Sequence, residues 1–217
     1  LVFALITSGA LPLAANPGTS ASTSARFQDR SDALPAHVYG GGWEHFVGGG
    51  LAVFDCNGDG LPEIFAAGGA NPARLMVNRS PRGGALAFEA GELMEITGVT
   101  GAYPLDIDSD GVTDLAVLRV GENLLLRGLG NCAFERANEN WGFDGGDRWT
   151  TAFAAGWEGD NTRPTLFFGN YVDRDNPEGP FEACDANELH RPFGNGPAAG
   201  RAGGYEKTLL EPGFCPL

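Results

Sequence analysis

The chain has 217 residues, which is enough for one sizeable hydrophobic core but cramped for two full domains. Its 14 Lys and Arg residues and 28 Asp and Glu residues give a formal net charge of −14, which disfavours nucleic acid and anionic membrane surfaces as partners. A charged fraction of 19% with 42% hydrophobic residues is that of a folded chain, and 34 glycines, about twice average usage, indicate many tight turns between short strands.

The first 25 residues differ from the rest. An apolar run, LVFALITSGALPLAA, precedes a Ser/Thr-rich stretch, and small residues near positions 13–15 resemble a signal-peptide cleavage zone. A buried first strand is the alternative, because short apolar runs are common. We therefore expect an exported protein that is periplasmic, on the outer surface or extracellular. We expect no membrane insertion apart from the signal peptide, and a folded part that spans residues 26–217.

Acidic and amide side chains alternate through the stretch FDCNGDGLPEIF, residues 54–65, which lies between two strand-like segments. The same pattern, Asp-x-(Asn/Asp)-x-Asp-Gly-x-x-(Glu/Asp), recurs 51 residues later in LDIDSDGVTDLAVL. Each copy offers side-chain oxygens at positions 1, 3, 5 and 9 and a backbone carbonyl at position 7. These positions are Asp55, Asn57, Asp59, Leu61 and Glu63 in the first loop, and Asp106, Asp108, Asp110, Val112 and Asp114 in the second.

Such a ladder of oxygens suits calcium, which takes six to eight oxygen ligands at about 2.3 to 2.6 Å. Without an ion, the second loop would crowd four negative charges into one turn. The simpler alternative is that Asn-Gly and Asp-Gly only form hairpin turns, but two copies in phase favour a metal site. An EF-hand is disfavoured, because its position-12 Glu is replaced by Ala66 and Val117 and the flanks are too short for helices. The sequence predicts two calcium-loop β-hairpins.

A further step of 51 residues reaches Trp157, where the apolar flanks and turn residues persist but the acidic ladder is lost. Each unit holds about four short strands in ~50 residues, the size of one propeller blade. We expect units near residues 45–95, 96–146 and 147–200, and the start of a further unit at 201–217. Closure of a propeller takes about four to eight blades, so the predicted fold is an all-β, incomplete arc of about three to four blades.

These repeats resemble the FG-GAP/VCBS type of integrin-α-like β-propellers. The chain from about residue 35 is also similar to bacterial relatives of the cartilage acidic protein, which often end in an ASPIC/UnbV domain. The similarity rests on GGWEHFVGGGLAVFDCNGDGLPEIFAAGG, LDIDSDGVTDLAV, WGFDGGDRWTTAF and GNYVDRDNPEGPFEACDANELHRP. It implies an exported, seven-bladed, calcium-stabilised propeller used for binding or adhesion, and no catalytic mechanism. The sequence departs from this pattern in its third repeat, which lacks ligands, and in its small number of repeats.

No catalytic motif is present in the sequence. His37, His45 and His190 lack a second His or Cys at zinc-like spacing, so we expect them to be structural. There is no Gly-x-Ser-x-Gly elbow, Gly-rich phosphate loop or His-Glu-x-x-His motif. We therefore assign no catalytic residue and no cofactor besides Ca²⁺. A polysaccharide lyase or dehydratase on a propeller frame remains an alternative, as does a scaffold for a downstream domain.

The tryptophans and one charged turn are the candidates for ligand contact. For Trp43, Trp141, Trp149 and Trp157, packing within the blades is favoured over stacking on sugars. The stretch WGFDGGDRW places Asp144, Asp147 and Arg148 beside two tryptophans and is a candidate binding turn. The ligand, a protein or a glycan, is not identified by the sequence.

Four cysteines allow three pairings. Cys184 and Cys215 bracket a Gly/Pro-rich insertion, and closing this 31-residue interval would stabilise the fold by about 3 to 4 kcal/mol in the entropic model. We predict this pair, which leaves Cys56 with Cys132 as the second. Four reduced, buried thiols are the alternative if the protein is not exported.

Overall fold

The computed structural model describes residues 26–46, 48–177, 179, 183–194 and 203–211. The predicted signal peptide, residues 1–25, lies outside the described residues. The described part contains twelve β-strands, two short 3-10 turns at Ser31–Ala33 and Trp43–His45, and no α-helix. No helix in that part could cross a bilayer. The predicted all-β class is confirmed.

The strands form three antiparallel meanders of four strands each, which we call blades 1 to 3. Blade 1 comprises β1 (Leu51–Phe54), β2 (Glu63–Ala66), β3 (Arg74–Asn78) and β4 (Phe88–Ala90). Blade 2 comprises β5 (Val99–Leu105), β6 (Asp114–Gly121), β7 (Leu124–Gly128) and β8 (Phe134–Arg136). Blade 3 comprises β9 (Arg148–Gly156), β10 (Thr165–Asn170), β11 (Asn187–Phe193) and β12 (Gly204–Leu210). Four-stranded units that follow one another in this way fit the blades of a β-propeller.

Blade 2 packs between the other two because its strands are apolar on both faces. Successive side chains of a strand point to opposite faces, so Leu115 and Val117 of β6 join one core cluster while Ala116 and Leu118 join the other. The first cluster lies between blades 1 and 2, and the second lies between blades 2 and 3. Each fully buried leucine contributes about 1.5 to 3 kcal/mol of transfer free energy, so packing between faces holds the blades together.

Backbone pairing adds two connections between blades. The end of β6 pairs with the start of β9, with Val120 opposite Trp149, and this joins blades 2 and 3 into one eight-stranded sheet. Blade 1 meets blade 2 at Gly69, whose N–H donates to the carbonyl of Val99 at 3.1 Å.

The predicted unit boundaries need one correction. A further unit was expected to begin at residue 201, but β12 pairs with β11 along its whole length and is the fourth strand of blade 3. The spacing of 51 residues fails here because a long connection, residues 171–186, separates β10 from β11. The interval between β9 and β10 does lie at the hairpin position that the acidic loops occupy in blades 1 and 2, as expected for a third copy.

Candidate functional site

The second acidic loop joins β5 to β6 and brings three carboxylates together. One oxygen each from Asp106, Asp108 and Asp114 lies within 4.8 Å of the others. Asp114 is the first residue of β6 and has no exposed surface, whereas Asp106 and Asp108 belong to the turn. The loop therefore brings three of its four carboxylates close together, and Asp110 is not part of this group.

Local hydrogen bonds fix the shape of this loop. Asp106 accepts the backbone N–H groups of Asp110 at 3.1 Å and Gly111 at 3.0 Å, and Asp110 accepts that of Val112 at 2.9 Å. Gly111 has φ of 84°, a left-handed conformation that glycine adopts without steric cost. Ser109 also lies in this region, with φ of 62°, where a residue with a Cβ atom is less favourable than glycine.

The first loop repeats two of these hydrogen bonds. Asp55 accepts the N–H of Gly60 at 2.8 Å, and Asp59 accepts that of Leu61 at 2.7 Å. Gly58 and Gly60, with φ of 78° and 77°, occupy the positions of Ser109 and Gly111. The hydrogen bond from the N–H of Gly60 is the main cause that lowers the pKa of Asp55 below its ordinary value, and the N–H of Gly58 adds to it. The two loops thus share one backbone conformation, although 51 residues separate them.

The position-9 carboxylates anchor both loops to their blades. Asp114 accepts the N–H of Ile107 at 2.7 Å and that of Gly128 at 2.8 Å. Glu63, also fully buried, accepts the N–H of Cys56 at 2.9 Å and that of Asn78 at 3.4 Å. Each acid therefore ties the start of its loop to the neighbouring strand as well as pointing oxygens at the turn.

Burial makes the charge on Asp114 costly. Burial is the largest cause that raises the pKa of this carboxyl, and the nearby negative charges of Asp108 and Asp110 act in the same direction; against the lowering effect of the two backbone hydrogen bonds, the net pKa is about 6. The pKa of Asp110 is instead lowered, chiefly by the hydrogen bond from the N–H of Val112 and then by Arg127. Positive charge next to Asp114 would favour the ionised form of this buried carboxyl.

Arg127 on β7 supplies part of the missing charge, and sequence reasoning missed it. Its Nε lies 3.0 Å from an oxygen of Asp108, and its Nη2 lies 2.8 Å from an oxygen of Asp110. The hydrogen bond with Asp110 is the main cause of the raised pKa of Arg127. Pairing of Leu115 with Leu126 places this residue beside the loop. The signal in the sequence was a single arginine inside the apolar strand NLLLRGLG.

The two loops are not equal as candidate sites. Among the described residues, no group of three close acidic oxygens forms from Asp55, Asp59 and Glu63, while the second loop provides one. Asn57 directs its side-chain oxygen to the N–H of Asp59 at 2.9 Å. The close grouping of Glu63 with Cys56 and Cys132 is not a metal site, because those sulfurs are bonded to each other.

A disulfide joins Cys56 of the first loop to Cys132, in the turn between β7 and β8 of blade 2, with Cα atoms 4.7 Å apart. The N–H of Cys132 also donates to the carbonyl of Cys56 at 3.0 Å. This pairing is the predicted one, and it holds the first acidic loop against the adjacent blade. The other predicted pair stays a prediction, because Cys215 lies outside the described residues.

The histidines do not assemble a site with one another. His37 contacts the carbonyl of Ala67 through Nε2 at 2.8 Å, and His45 is buried next to Tyr39. His190 is fully buried in blade 3, with Nε2 3.2 Å from Glu188. The tryptophans divide as well: Trp141 and Trp149 are buried in the packing as predicted, whereas Trp43 and Trp157 are each 52% exposed.

The charged turn near Trp149 lies beside a pocket of blade 3. Asp147 and Arg148 line this pocket, which has a volume of about 310 Å³, and Asp144 pairs with Lys207 of its wall at 2.5 Å. The hydrogen bond from Lys207 is the main reason why the pKa of Asp144 is lowered. The sequence pointed to this turn, but the structure adds wall residues from β11, β12 and the connection after β10.

Comparison with known protein families agrees with this geometry. Residues 55–117 match a family model described as FG-GAP-like repeat. The match begins at Asp55, the first acid of loop 1, and ends at Val117 in β6, so it covers both acidic loops. No curated protein matches the chain. The finer resemblance to relatives of the cartilage acidic protein therefore stays a prediction.

Proposed function

We propose that this chain is an exported, calcium-binding propeller module that serves in binding, adhesion or scaffolding, with calcium stabilising the hairpins of blades 1 and 2. The observation that carries the proposal is the convergence of Asp106, Asp108 and Asp114 within 4.8 Å. The donors are all oxygens, which suits a hard divalent cation. Calcium is favoured over magnesium because a coiled loop of many ligands meets the looser coordination of calcium more readily than a strict octahedron.

The electrostatics of the second loop support an ion at this position. A calcium ion would compensate the buried charge of Asp114. The pKa of this carboxyl is raised to about 6, mainly by burial. Asp106, Asp108, Asp110 and Asp114 would hold it with the carbonyl of Val112, and the first loop would use Asp55, Asn57, Asp59, Glu63 and the carbonyl of Leu61. When bound, the ion supplies positive charge that links the strands at the turn.

Export is supported by the disulfide between Cys56 and Cys132, because such bonds persist mainly in oxidising compartments. The net charge of −14 supports cations and uncharged molecules as ligands. The propeller frame is a common support for binding surfaces but does not identify the ligand.

Calorimetric titration of the metal-free protein with Ca²⁺ tests the proposal, with Mg²⁺ titrated in parallel. We expect calcium uptake by the loops, and chelation should lower the melting temperature, because a ligand at a hundredfold excess over its Kd stabilises the folded state by about 2.7 kcal/mol. Asp108→Asn should reduce uptake. Asp160→Asn is the matched control, since Asp160 lies in the β9–β10 turn that lacks the ladder. Absence of calcium uptake by the parent protein contradicts the site assignment.

A further inference from the structure

The disulfide between Cys56 and Cys132 lies inside the first acidic loop. Cys56 is the second residue of that loop, between the candidate ligands Asp55 and Asn57. Its partner, Cys132, belongs to the turn between β7 and β8 of blade 2. One covalent bond therefore connects a candidate calcium loop to a turn of the neighbouring blade.

The second loop has an apolar residue at the equivalent position. Ile107, 51 residues after Cys56, is fully buried in the core cluster between blades 2 and 3. Its N–H donates to Asp114 at 2.7 Å, and the N–H of Cys56 donates to Glu63 at 2.9 Å. Position 2 thus orients the position-9 acid in both loops, but packing alone holds it in the second loop, whereas the first loop adds a disulfide.

A pocket between blades 1 and 2 leads to this bond. Cys132 lines the pocket, which has a volume of about 380 Å³, together with Asn57 and Asp59 of the loop. Cys56 is not among the described residues that line it, so a small thiol entering the pocket would reach Cys132 first. Asn131 and Cys132 have φ of 50° and 62°, which is less favourable for them than for glycine. We expect this turn to relax once the bond is opened.

Reduction of the bond would proceed by thiol–disulfide exchange. A thiolate of a dithiol reductant attacks Sγ of Cys132 and forms a mixed disulfide with it, while the sulfur of Cys56 leaves and takes up a proton. The second thiol of the reductant then displaces Cys132. The reductant leaves as a disulfide, and the protein gains two electrons and two protons as two thiols.

The thiol of Cys56 would compete for a candidate calcium ligand. Sγ of Cys56 lies 3.3 Å from Oε2 of Glu63, the position-9 carboxylate of the first loop. In the disulfide this sulfur carries no hydrogen, whereas the thiol has an S–H group that can donate to this oxygen. Reduction therefore releases the loop from blade 2 and also gives Glu63 a competing partner.

We propose that the oxidation state of this disulfide controls calcium binding by the first loop. The oxidised protein binds calcium there more tightly than the reduced protein, because the bond holds the loop in place before the ion arrives. The second loop binds calcium alike in both states. The inference rests on the calcium role proposed above and adds a regulation to it. Because coupling between two sites is reciprocal, calcium makes the bond harder to reduce by the same factor.

The amide NMR signals of Gly60 and Gly111 report the two loops separately in one sample. Each glycine is the sixth residue of its loop and donates its N–H to the position-1 acid, at 2.8 Å to Asp55 and at 3.0 Å to Asp106. Calcium is titrated into the oxidised protein and into the protein reduced with dithiothreitol. We expect the Kd measured at Gly60 to rise about tenfold on reduction, which is within the usual range of coupling between sites, and the Kd measured at Gly111 to stay the same.

The outcomes separate this proposal from the calcium assignment. An equal Kd at Gly60 in both states, or equal losses at Gly60 and Gly111, overturns control by the disulfide and leaves the calcium assignment intact. If neither signal responds to calcium in the oxidised protein, both proposals fail. Amide hydrogen exchange gives a readout without calcium: in the metal-free protein, exchange at Gly60 relative to Gly111 should be faster after reduction, and an unchanged ratio contradicts the proposal.

Two variants distinguish the lost bond from the new thiol. Cys132→Ala leaves the Cys56 thiol beside Glu63, whereas Cys56→Ala removes it, and both lack the bond. Neither variant changes the other two cysteines, so the comparison needs no reductant. Weaker calcium binding at Gly60 in both variants supports the proposal, and a larger loss in Cys132→Ala shows that the thiol competes for Glu63. Binding like that of the parent in both variants overturns it.

The reciprocal measurement applies if the reduced protein unfolds. The fraction of protein reduced in a dithiothreitol buffer is measured with and without calcium, starting from the folded, oxidised protein. Calcium should protect the bond, and Asp55→Asn should remove more of this protection than Asp106→Asn, the matched change in the second loop. Equal protection in these two variants would mean that calcium acts through the stability of the whole fold, which overturns the proposal.

Discussion

Replacing Arg127 with Gln should tighten calcium binding by the second loop. The guanidinium lies 3.0 Å from Asp108 and 2.8 Å from Asp110, so it neutralises the carboxylates that a calcium ion would use. Ion and guanidinium therefore compete for the same oxygens. Removing the guanidinium should leave these oxygens free for the ion. It should also lower the stability of the metal-free protein, which loses both ion pairs.

The size of this effect follows from the exposure of the pair. The Arg127 side chain is 40% exposed, so solvent screens both interactions. Exposed ion pairs contribute about 0.2 to 1 kcal/mol each, and two of them amount to roughly 0.5 to 2 kcal/mol. Because 1.36 kcal/mol corresponds to a factor of ten, the Kd for calcium should fall about two- to thirtyfold.

Calorimetry on four proteins checks this expectation: the parent, Arg127→Gln, Arg127→Lys and Arg79→Gln. Lysine keeps the positive charge and should bind calcium like the parent. Arg79 is the control for loss of an arginine, since it pairs with Glu89 of β4 rather than with a loop acid. An unchanged Kd in Arg127→Gln would refute the competition, and a weaker one would mean that the guanidinium organises the loop for the ion.

Three further predictions follow from the loops and the disulfide. Asp108→Asn should weaken calcium binding by the second loop and Asn57→Asp should strengthen it in the first, because ligand charge tunes affinity; calorimetry with unchanged affinities in both would reject the charge argument. In the calcium-free folded protein, the pKa of Asp114 is about 6, mainly because the carboxyl is buried. The folded protein therefore keeps a proton that the unfolded carboxyl loses near pH 4. The free energy of unfolding should therefore fall as pH rises from about 4 to about 6, by up to about 3 kcal/mol, and denaturant titrations should find this slope absent in Asp114→Asn. Reducing the bond between Cys56 and Cys132, which closes a separation of 76 residues, should cost about 4 to 5 kcal/mol in the entropic model; an unchanged melting temperature under reductant would contradict this.

Local features were predictable from the sequence, and features that depend on strand register were not. The hairpin positions follow from alternating apolar residues and Gly, Asn and Asp turns, which act over a few residues. Arg127 enters the second loop only through the pairing of β6 with β7, so its role required the register. The fourth strand of blade 3 was misassigned because the long connection after β10 breaks the repeat spacing.

The blade 3 pocket shows the same limit more strongly. Its residues run from Gly146 to Leu209, and the turn that the sequence singled out provides only one side of it. Glu188 and Lys207 lie on neighbouring strands β11 and β12, and no local pattern relates them to Asp147. Only the folded blade reveals that these charges face one another.

The β9–β10 hairpin of blade 3 is a useful comparison for the acidic loops of blades 1 and 2. It pairs over six residue positions, from Thr165 to Asn170, without an acidic ladder in its turn. Protein groups hold this turn instead: the Ser109 hydroxyl of the second loop donates to the carbonyl of Thr162, and the Arg163 guanidinium lies 5.8 Å from the ring centre of Trp141. A hairpin at this position therefore forms without clustered carboxylates, so turn formation alone does not account for their repetition in blades 1 and 2. Four like charges in the second loop oppose folding unless positive charge compensates them. Arg127 pairs only with Asp108 and Asp110, so this loop in particular supports the proposal of a bound ion.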